Sequence, residues 1–330
     1  MSQSVEPEAA FRFRIPFRCH MRLKGRSPLT KLIRYGSYVQ PPEHFIAKLH
    51  NEINELALRN LELLPLETLE IESGGRTLEA TVDMRNTQFI GADREAGEFA
   101  NGYEPDILAL IDMFVDRDGA FIDVGANWGY MALHCLLRPG FHGRIIAIEP
   151  GARARHDLQK LLRDCRFEHR VEVLAYAIGD AHGPIRLTRP PWSGMATTIG
   201  AAEGDLVEMR RFDELAMPSA SLIKVDIEGS EAAFVRGARD YLRRSRSPIV
   251  FENRTDTPGG DWETPYALLA ELRYECFAVL AEVKGAAPEQ SFTEVTLHPA
   301  GPANRAAFPV HLNVLAVADR RPLAGSRFAV

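Results

Sequence analysis

The stretch 121–130, Phe-Ile-Asp-Val-Gly-Ala-Asn-Trp-Gly-Tyr, constrains this chain more than any other. An apolar run over 120–124 ends in a glycine turn and leads into residues 130–137, which suit a helix. Strand, glycine turn and helix in succession are the grammar of a nucleotide site. Glycine admits close backbone approach, and the first helical turn offers unpaired N–H donors. The spacing is Gly125-x-Asn127-x-Gly129 with Asp123 two residues ahead, not Gly-x-Gly-x-x-Gly. An acid at the strand end repels a pyrophosphate and suits a cationic ligand.

From there the pattern alternates. Strands are predicted over 120–124, 144–148, 171–175, 222–225 and 248–251, with helices over 130–137 and 152–164 and another starting near Ser230. Residues 177–189 read as a hairpin turning at His182-Gly183. A helix over 264–272, a strand near 276–280 and a late strand over 313–317 follow. Such alternation predicts an α/β protein with a doubly wound, mostly parallel sheet and ligands at the carboxyl ends of its strands.

The first hundred residues differ. Residues 1–10 are acidic and polar, which is no secretory signal. Over 11–40 the charge reverses, with Arg12, Arg14, Arg18, Arg22, Lys24, Arg26, Lys31 and Arg34 and no acid. This run suits either a patch for an anionic partner or a solvated face, and charge runs favour the latter. Phe11, Phe13, Ile15 and Phe17 alternate with other residues, as in a half-exposed strand. After Pro41-Pro42 a helix is predicted over 43–64, then a hairpin of 66–71 and 77–82 about Ser73-Gly74-Gly75. Residues 1–100 thus form an N-terminal α+β accessory region and 101–330 the main domain.

A net charge of −6 argues against general nucleic-acid binding. The four cysteines, Cys19, Cys135, Cys165 and Cys276, are scattered and read as reduced thiols. No apolar run is long enough for a membrane helix. Together these place the chain in the cytoplasm.

The polar residues that follow the predicted strands carry the chemistry. Glu149-Pro150 follows the second, where an acid can accept from both ribose hydroxyls. Ile178-Gly179-Asp180 follows the third, where Ile178 could sandwich an adenine and Asp180 hydrogen-bond it, although a Gly-Asp turn explains the pair nearly as well. Lys224-Val225-Asp226-Ile227-Glu228-Gly229-Ser230-Glu231 follows the fourth, with three carboxylates that would repel one another without a function or partner. Glu252-Asn253 ends the fifth. Trp128 either stacks on the ligand or packs beneath the turn, and His134 reads as a packed core residue. Arg189-Pro190-Pro191-Trp192 lies before the fourth strand and reads as a loop entering Ser193-Gly194-Met195.

Asp-Val-Gly-Ala-Asn-Trp-Gly, Ile-Glu-Pro, Lys-Val-Asp-Ile-Glu-Gly-Ser-Glu and Phe-Glu-Asn, in this order, resemble the FkbM-type S-adenosylmethionine-dependent methyltransferases. Gly102-Tyr103-Glu104-Pro105 resembles that family's approach segment, so the likeness spans roughly 102–253. It implies a Rossmann-like class I methyltransferase fold and methyl transfer to a hydroxyl of a sugar, glycan or polyketide-like small molecule. Carried onto this chain, Glu104, Asp123, Gly125, Ala126, Asn127 and Gly129 would surround the methionine half of the donor. Glu149 and Pro150 would hold the ribose, Ile178, Gly179 and Asp180 would sit near the adenine, and Asp226 and Glu228 would lie beside the sulfonium and the acceptor.

An alcohol is a weak nucleophile and needs a positioned base or a metal. Asp226, Glu228 or Glu252 could be the base. Alternatively Asp226, Glu252 and Asn253 resemble the oxygen ligands of magnesium-dependent catechol-type methyltransferases. Two other functions compete. A nicotinamide-dependent oxidoreductase has no use for Asn127 in the glycine turn or for the Asp-Ile-Glu-Gly block, and a binding module without turnover has no use for intact acids at 123, 149, 226 and 228. The acceptor and the oligomeric state stay open, with the N-terminal segment as the element that could exchange between subunits.

Overall fold

The computed structural model describes residues 8–16, 21–24, 66–73, 76–84, 86, 89, 103–188, 198–199, 204–256, 260–285 and 291–330. The strands run β1 (Phe11–Pro16), β2 (Met21–Leu23), β3 (Leu66–Ser73), β4 (Arg76–Asp83), β5 (Ala120–Val124), β6 (Arg144–Ile148), β7 (Val171–Leu174) and β8 (Tyr176–Gly179). They continue with β9 (Gly183–Thr188), β10 (Thr198–Ile199), β11 (Asp205–Arg211), β12 (Leu222–Val225), β13 (Ile249–Arg254), β14 (Glu275–Lys284), β15 (Phe292–Pro299) and β16 (His311–Val317).

The main sheet has the order β1-β15-β14-β16-β13-β12-β5-β6-β7. Its middle is parallel: β5 pairs with β6 and β12, and β12 with β13. The apolar runs there are buried on both faces, as a parallel sheet requires. Alternate residues explain this. Phe121, Ile145, Ala147 and Leu222 pack on one side with the helices Pro105–Phe114, Tyr130–Leu137 and Ala152–Asp164. Ile122, Val124, Ile146, Ile148, Ile223 and Val225 pack on the other, with Glu231–Gly237, Arg239–Ser245 and Thr264–Glu271. The result is the Rossmann-like, doubly wound α/β fold expected from the sequence. The chain leaves β5 for β6 on one side and reaches β12 on the other, which makes the carboxyl end of β5 a switch point.

The predicted hairpin at 66–82 is present: β3 and β4 pair antiparallel from Leu66↔Asp83 to Ser73↔Arg76, with β2 beside β3. This small sheet docks on the helix Ala152–Asp164, where Asp164 accepts from Thr81 N at 2.9 Å and Lys160 Nζ donates to Thr81 O at 2.8 Å. The alternating segment 11–16 buries Phe13 and Ile15 and exposes Arg12 and Arg14, and it extends the main sheet at β15. The predicted helix over 43–64, Cys19 and the loop 189–195 lie outside the described residues.

Two expectations need correction. The segment 177–189 is no hairpin: β8 and β9 do not pair, because β11 inserts between them, parallel to β8 and antiparallel to β9. The fifth parallel strand, predicted over 248–251 with Glu252-Asn253 at its end, runs from Ile249 to Arg254, one residue beyond them. Sequence periodicity also passes over the helix Pro105–Phe114 and the strands β11 and β15.

Candidate active site

The glycine turn after β5 is tied to the neighbouring strand end. Gly125 N and Ala126 N both donate to Ile148 O, at 2.9 and 3.1 Å. Gly125 has a φ of +81°, and a Cβ there would fall 1.8 Å from the backbone oxygen of Asp226. Only glycine lets the first and fourth loops close on each other this way. Glu149 joins the first loop to the second: Asn127 N donates to its Oε2 at 2.9 Å and Gly151 N to its Oε1 at 2.7 Å. The loop after β12 is folded by Glu231, whose Oε1 accepts from Ile227 N at 3.3 Å and Gly229 N at 3.2 Å.

These loops enclose a cleft with about 930 Å³ of empty space, counted out to its open mouth. Glu104, Asn127 and Glu228 all line it, and all three have positive φ, at 46°, 48° and 55°. Non-glycine residues held in that region cost free energy and concentrate at functional sites. An apolar wall of Ile148, Ala177, Ile178 and Leu187 faces a polar end of Glu104, Asp123, Lys224, Asp226 and Glu228.

The polar end is crowded with charge. Asp123, 1% exposed, and Lys224, 6% exposed, are direct register partners on β5 and β12. Lys224 Nζ lies 3.9 Å from Asp123 Oδ1 and donates to Asp226 Oδ2 at 3.0 Å. Burial pushes Asp123 up to about 6 against the pull of Lys224. Burial likewise raises Glu104 well above the carboxylate range, Lys224 opposing and Asp226 adding to it. Glu228 rises to about 7 through burial first and Asp226 second, with Arg254 opposing. For Lys224 burial works downward, but Asp226, Asp123 and Glu104 together outweigh it and raise the ammonium's pKa. Among the described residues, Glu104 Oε2 and both oxygens of Asp123 are buried and accept no hydrogen bond. Buried carboxylate oxygens left without donors are what an ammonium-bearing ligand such as S-adenosylmethionine would satisfy.

Most of the sequence-predicted residues come together here. Glu104, Asp123, Gly125, Ala126, Asn127, Glu149, Pro150, Ile178, Asp226 and Glu228 all line the cleft. Three cofactor candidates do not. Gly129 caps the helix Tyr130–Leu137 and packs against Leu158, 2.3 Å from where its Cβ would lie. Gly179 faces Met209 of β11, whose Sδ would lie 2.5 Å from a Cβ. Asp180 turns outward and pairs with Arg236 at 2.6 Å. Trp128 lines the cleft, yet its ring packs on Phe89 at 4.5 Å and Tyr130 at 5.5 Å. Glu252 lies beside the cleft in a smaller hollow with Glu231, Arg254, Asp261 and Trp262, and burial, then Asp226 and Glu228, raises its pKa.

The magnesium reading does not fit. Asn253 is 2% exposed, and its Oδ1 accepts from Arg305 Nε at 2.6 Å and Tyr266 OH at 3.4 Å, while its Nδ2 donates to Trp262 O at 2.9 Å. An amide oxygen already bound to a buried guanidinium is no ligand for a divalent cation. Among the described residues no cluster of three His, Cys, Asp or Glu could hold a metal. Sequence reasoning quoted Lys224 and Tyr103 without assigning either a role and passed over Tyr176 and Leu187, all of which line the cleft. A lysine inside the apolar run Leu222–Val225 was the available signal for the first.

Residues 123–277 match the family model described as the methyltransferase FkbM domain. This stretch is thus similar to an FkbM methyltransferase domain. The hexuronic acid methyltransferase AglP of Haloferax volcanii is 26% identical over 152 residues, covering 44% of this chain and 61% of that protein. The chain thus spans about three fifths of the length of this curated relative. Two solved structures resemble this chain at low similarity. Methyltransferase FkbM from Methylobacillus flagellatus KT is 17% identical with a TM-score of 0.38, covering 76% of this chain and 60% of that one. The SAM-dependent O-methyltransferase from Thermotoga maritima is 13% identical with a TM-score of 0.38, covering 76% and 78%. Among the described residues no helix is long and apolar enough to cross a membrane, and Cys135, Cys165 and Cys276 are free.

Proposed function

We propose that this protein is an S-adenosylmethionine-dependent O-methyltransferase acting on a hydroxyl of a small molecule, of the sugar, glycan or polyketide-like class. The observation that carries the reading is the set of buried carboxylate oxygens of Glu104 and Asp123 that accept no hydrogen bond at the polar end of the cleft. The family match and the sugar-acid methyltransferase relative support it. S-adenosylmethionine supplies an already activated methyl group. Glu104 and Asp123 then face its ammonium, Glu149 its ribose, and Ile148, Ile178 and Leu187 its adenine.

The chain's remaining task is to hold the acceptor oxygen in line and to take its proton. Glu228 is the favoured base because it lines the cleft and titrates near neutrality. Asp226 holds negative charge beside it, and Glu252 is the second candidate from the adjoining hollow. Residues 1–100 serve as an accessory region, of which the described strands β3 and β4 lie against the helix Ala152–Asp164.

Calorimetric titration with S-adenosylhomocysteine, and in parallel with NAD, tests this directly. Binding of the former at micromolar levels is expected. Binding of NAD without any response to S-adenosylhomocysteine would replace the reading with an oxidoreductase.

A further inference from the structure

Lys224 carries the buried positive charge of the cleft. Its neighbours on β12, Leu222, Ile223 and Val225, are all buried apolar residues, and a fourth would satisfy the packing there. Burying an ammonium costs several kcal/mol unless partners compensate it, so the lysine must be explained by charge. Its partners arrive from four segments. Asp123 comes from β5, Asp226 and Glu228 from the loop after β12, Glu104 from the turn before the helix Pro105–Phe114, and Glu252 from β13. Two are in ion-pair range, at 3.0 Å for Asp226 and 3.9 Å for Asp123. Five carboxylates in a partly dry site cannot all ionise without an internal cation.

We propose that Lys224 is a positioning residue that keeps Asp123 ionised and Asp226 aimed into the cleft, so that the free protein already presents an anionic cradle to the ammonium of the donor. This rests on the S-adenosylmethionine reading above. Without the lysine the cluster takes up a proton, and an incoming ammonium must displace it.

The test is titration of S-adenosylhomocysteine into wild type, Lys224→Met and Lys224→Arg between pH 6.5 and 8.5, in buffers of different ionisation enthalpy that count the protons exchanged. At pH 7 the Lys224→Met variant is expected to bind at least about 10-fold more weakly and to release about one proton more than wild type, with the gap closing as pH rises. Lys224→Arg restores both the proton count and most of the affinity. A folded Lys224→Met variant with wild-type affinity and proton count overturns the proposal. So does lost affinity with an unchanged proton count, which would mark a packing role. If Lys224→Met does not fold, 15Nζ NMR of wild-type lysines decides. A slowly exchanging ammonium signal that moves when S-adenosylhomocysteine is added supports the assignment, and only solvent-like lysine signals overturn it. A wild-type protein that ignores S-adenosylhomocysteine altogether would defeat the proposed function itself, not the lysine alone.

Discussion

Lys224 donates to Asp226 across 3.0 Å, two positions further along the chain, at the point where β12 leaves the sheet. The pair fixes a carboxylate at the junction between the polar end of the cleft and the base candidates Glu228 and Glu252. Asp226→Asn keeps the volume and removes the charge. Turnover is expected to fall at least about 100-fold, the lower range for a lost proton-handling or charge-stabilising group, with the far-UV circular dichroism unchanged. Wild-type turnover in this variant would take Asp226 out of the mechanism.

Asp123 sets function against stability. Its folded-state pKa lies near 6, above the ordinary 3.8, because burial disfavours the carboxylate. A raised carboxyl binds its proton more tightly in the folded protein, so its stabilising contribution is full below pH 3.8 and is lost as pH rises through 6. At pH 7.5 the free protein bears that whole cost, on the order of 1–3 kcal/mol. Asp123→Asn should therefore melt at a higher temperature than wild type at pH 7.5, and the difference should vanish near pH 3.5. The same variant should bind S-adenosylhomocysteine more weakly. A lower melting temperature at pH 7.5 would show that the ionised carboxylate stabilises the fold.

If Glu228 takes the acceptor's proton, kcat/KM must rise with pH through about 7 and then level off, because only the ionised carboxylate accepts. Glu228→Gln removes that limb along with most of the activity. Arg254, whose Nη1 lies 3.8 Å from Glu228 Oε2, holds the pKa down. Arg254→Met should move the limb to higher pH by up to about one unit. A limb that stays in place would point to a group beyond the reach of Arg254, since Arg254 holds down Glu252 as well.

The sequence displayed the middle of the fold because its signals there are local. The runs 120–124, 144–148 and 222–225 are mostly apolar, the first two preceded by glycine, and largely buried, so they appear as strands with the expected limits. Pairing partners are not local. Nothing in 177–189 announces that β11, a strand of mixed polarity more than fifteen residues later, will separate β8 from β9. The site divides the same way. Loop acids that follow strands were legible because a parallel sheet puts them at one edge. Asp180 was misplaced because its partner is Arg236, and Asn253 because its partner is Arg305, each more than fifty residues away.

That last contact predicts a structural lesion. Arg305 is 1% exposed and pairs with no carboxylate among the described residues. Its Nε and Nη2 donate to Asn253 Oδ1 and O, both at 2.6 Å, and its Nη2 and Nη1 donate to Val310 O and Pro309 O, both at 2.7 Å. The fork thereby ties the segment before β16 to the end of β13, next to Glu252 and Arg254. Arg305→Met fills most of the space but strips donors from two buried and two part-buried oxygens. It should cost about 3–5 kcal/mol in urea unfolding, comparable to breaking a buried charged network. Arg305→Lys should recover only part of this, since one ammonium cannot reach acceptors spread around a planar fork. Because the guanidinium occupies the Asn253 oxygen, EDTA-treated wild-type protein should transfer methyl groups equally fast with and without added magnesium. A marked gain on adding magnesium would mean that Asn253 exchanges Arg305 for the metal during turnover, and Arg305→Lys would then bind magnesium more tightly than wild type.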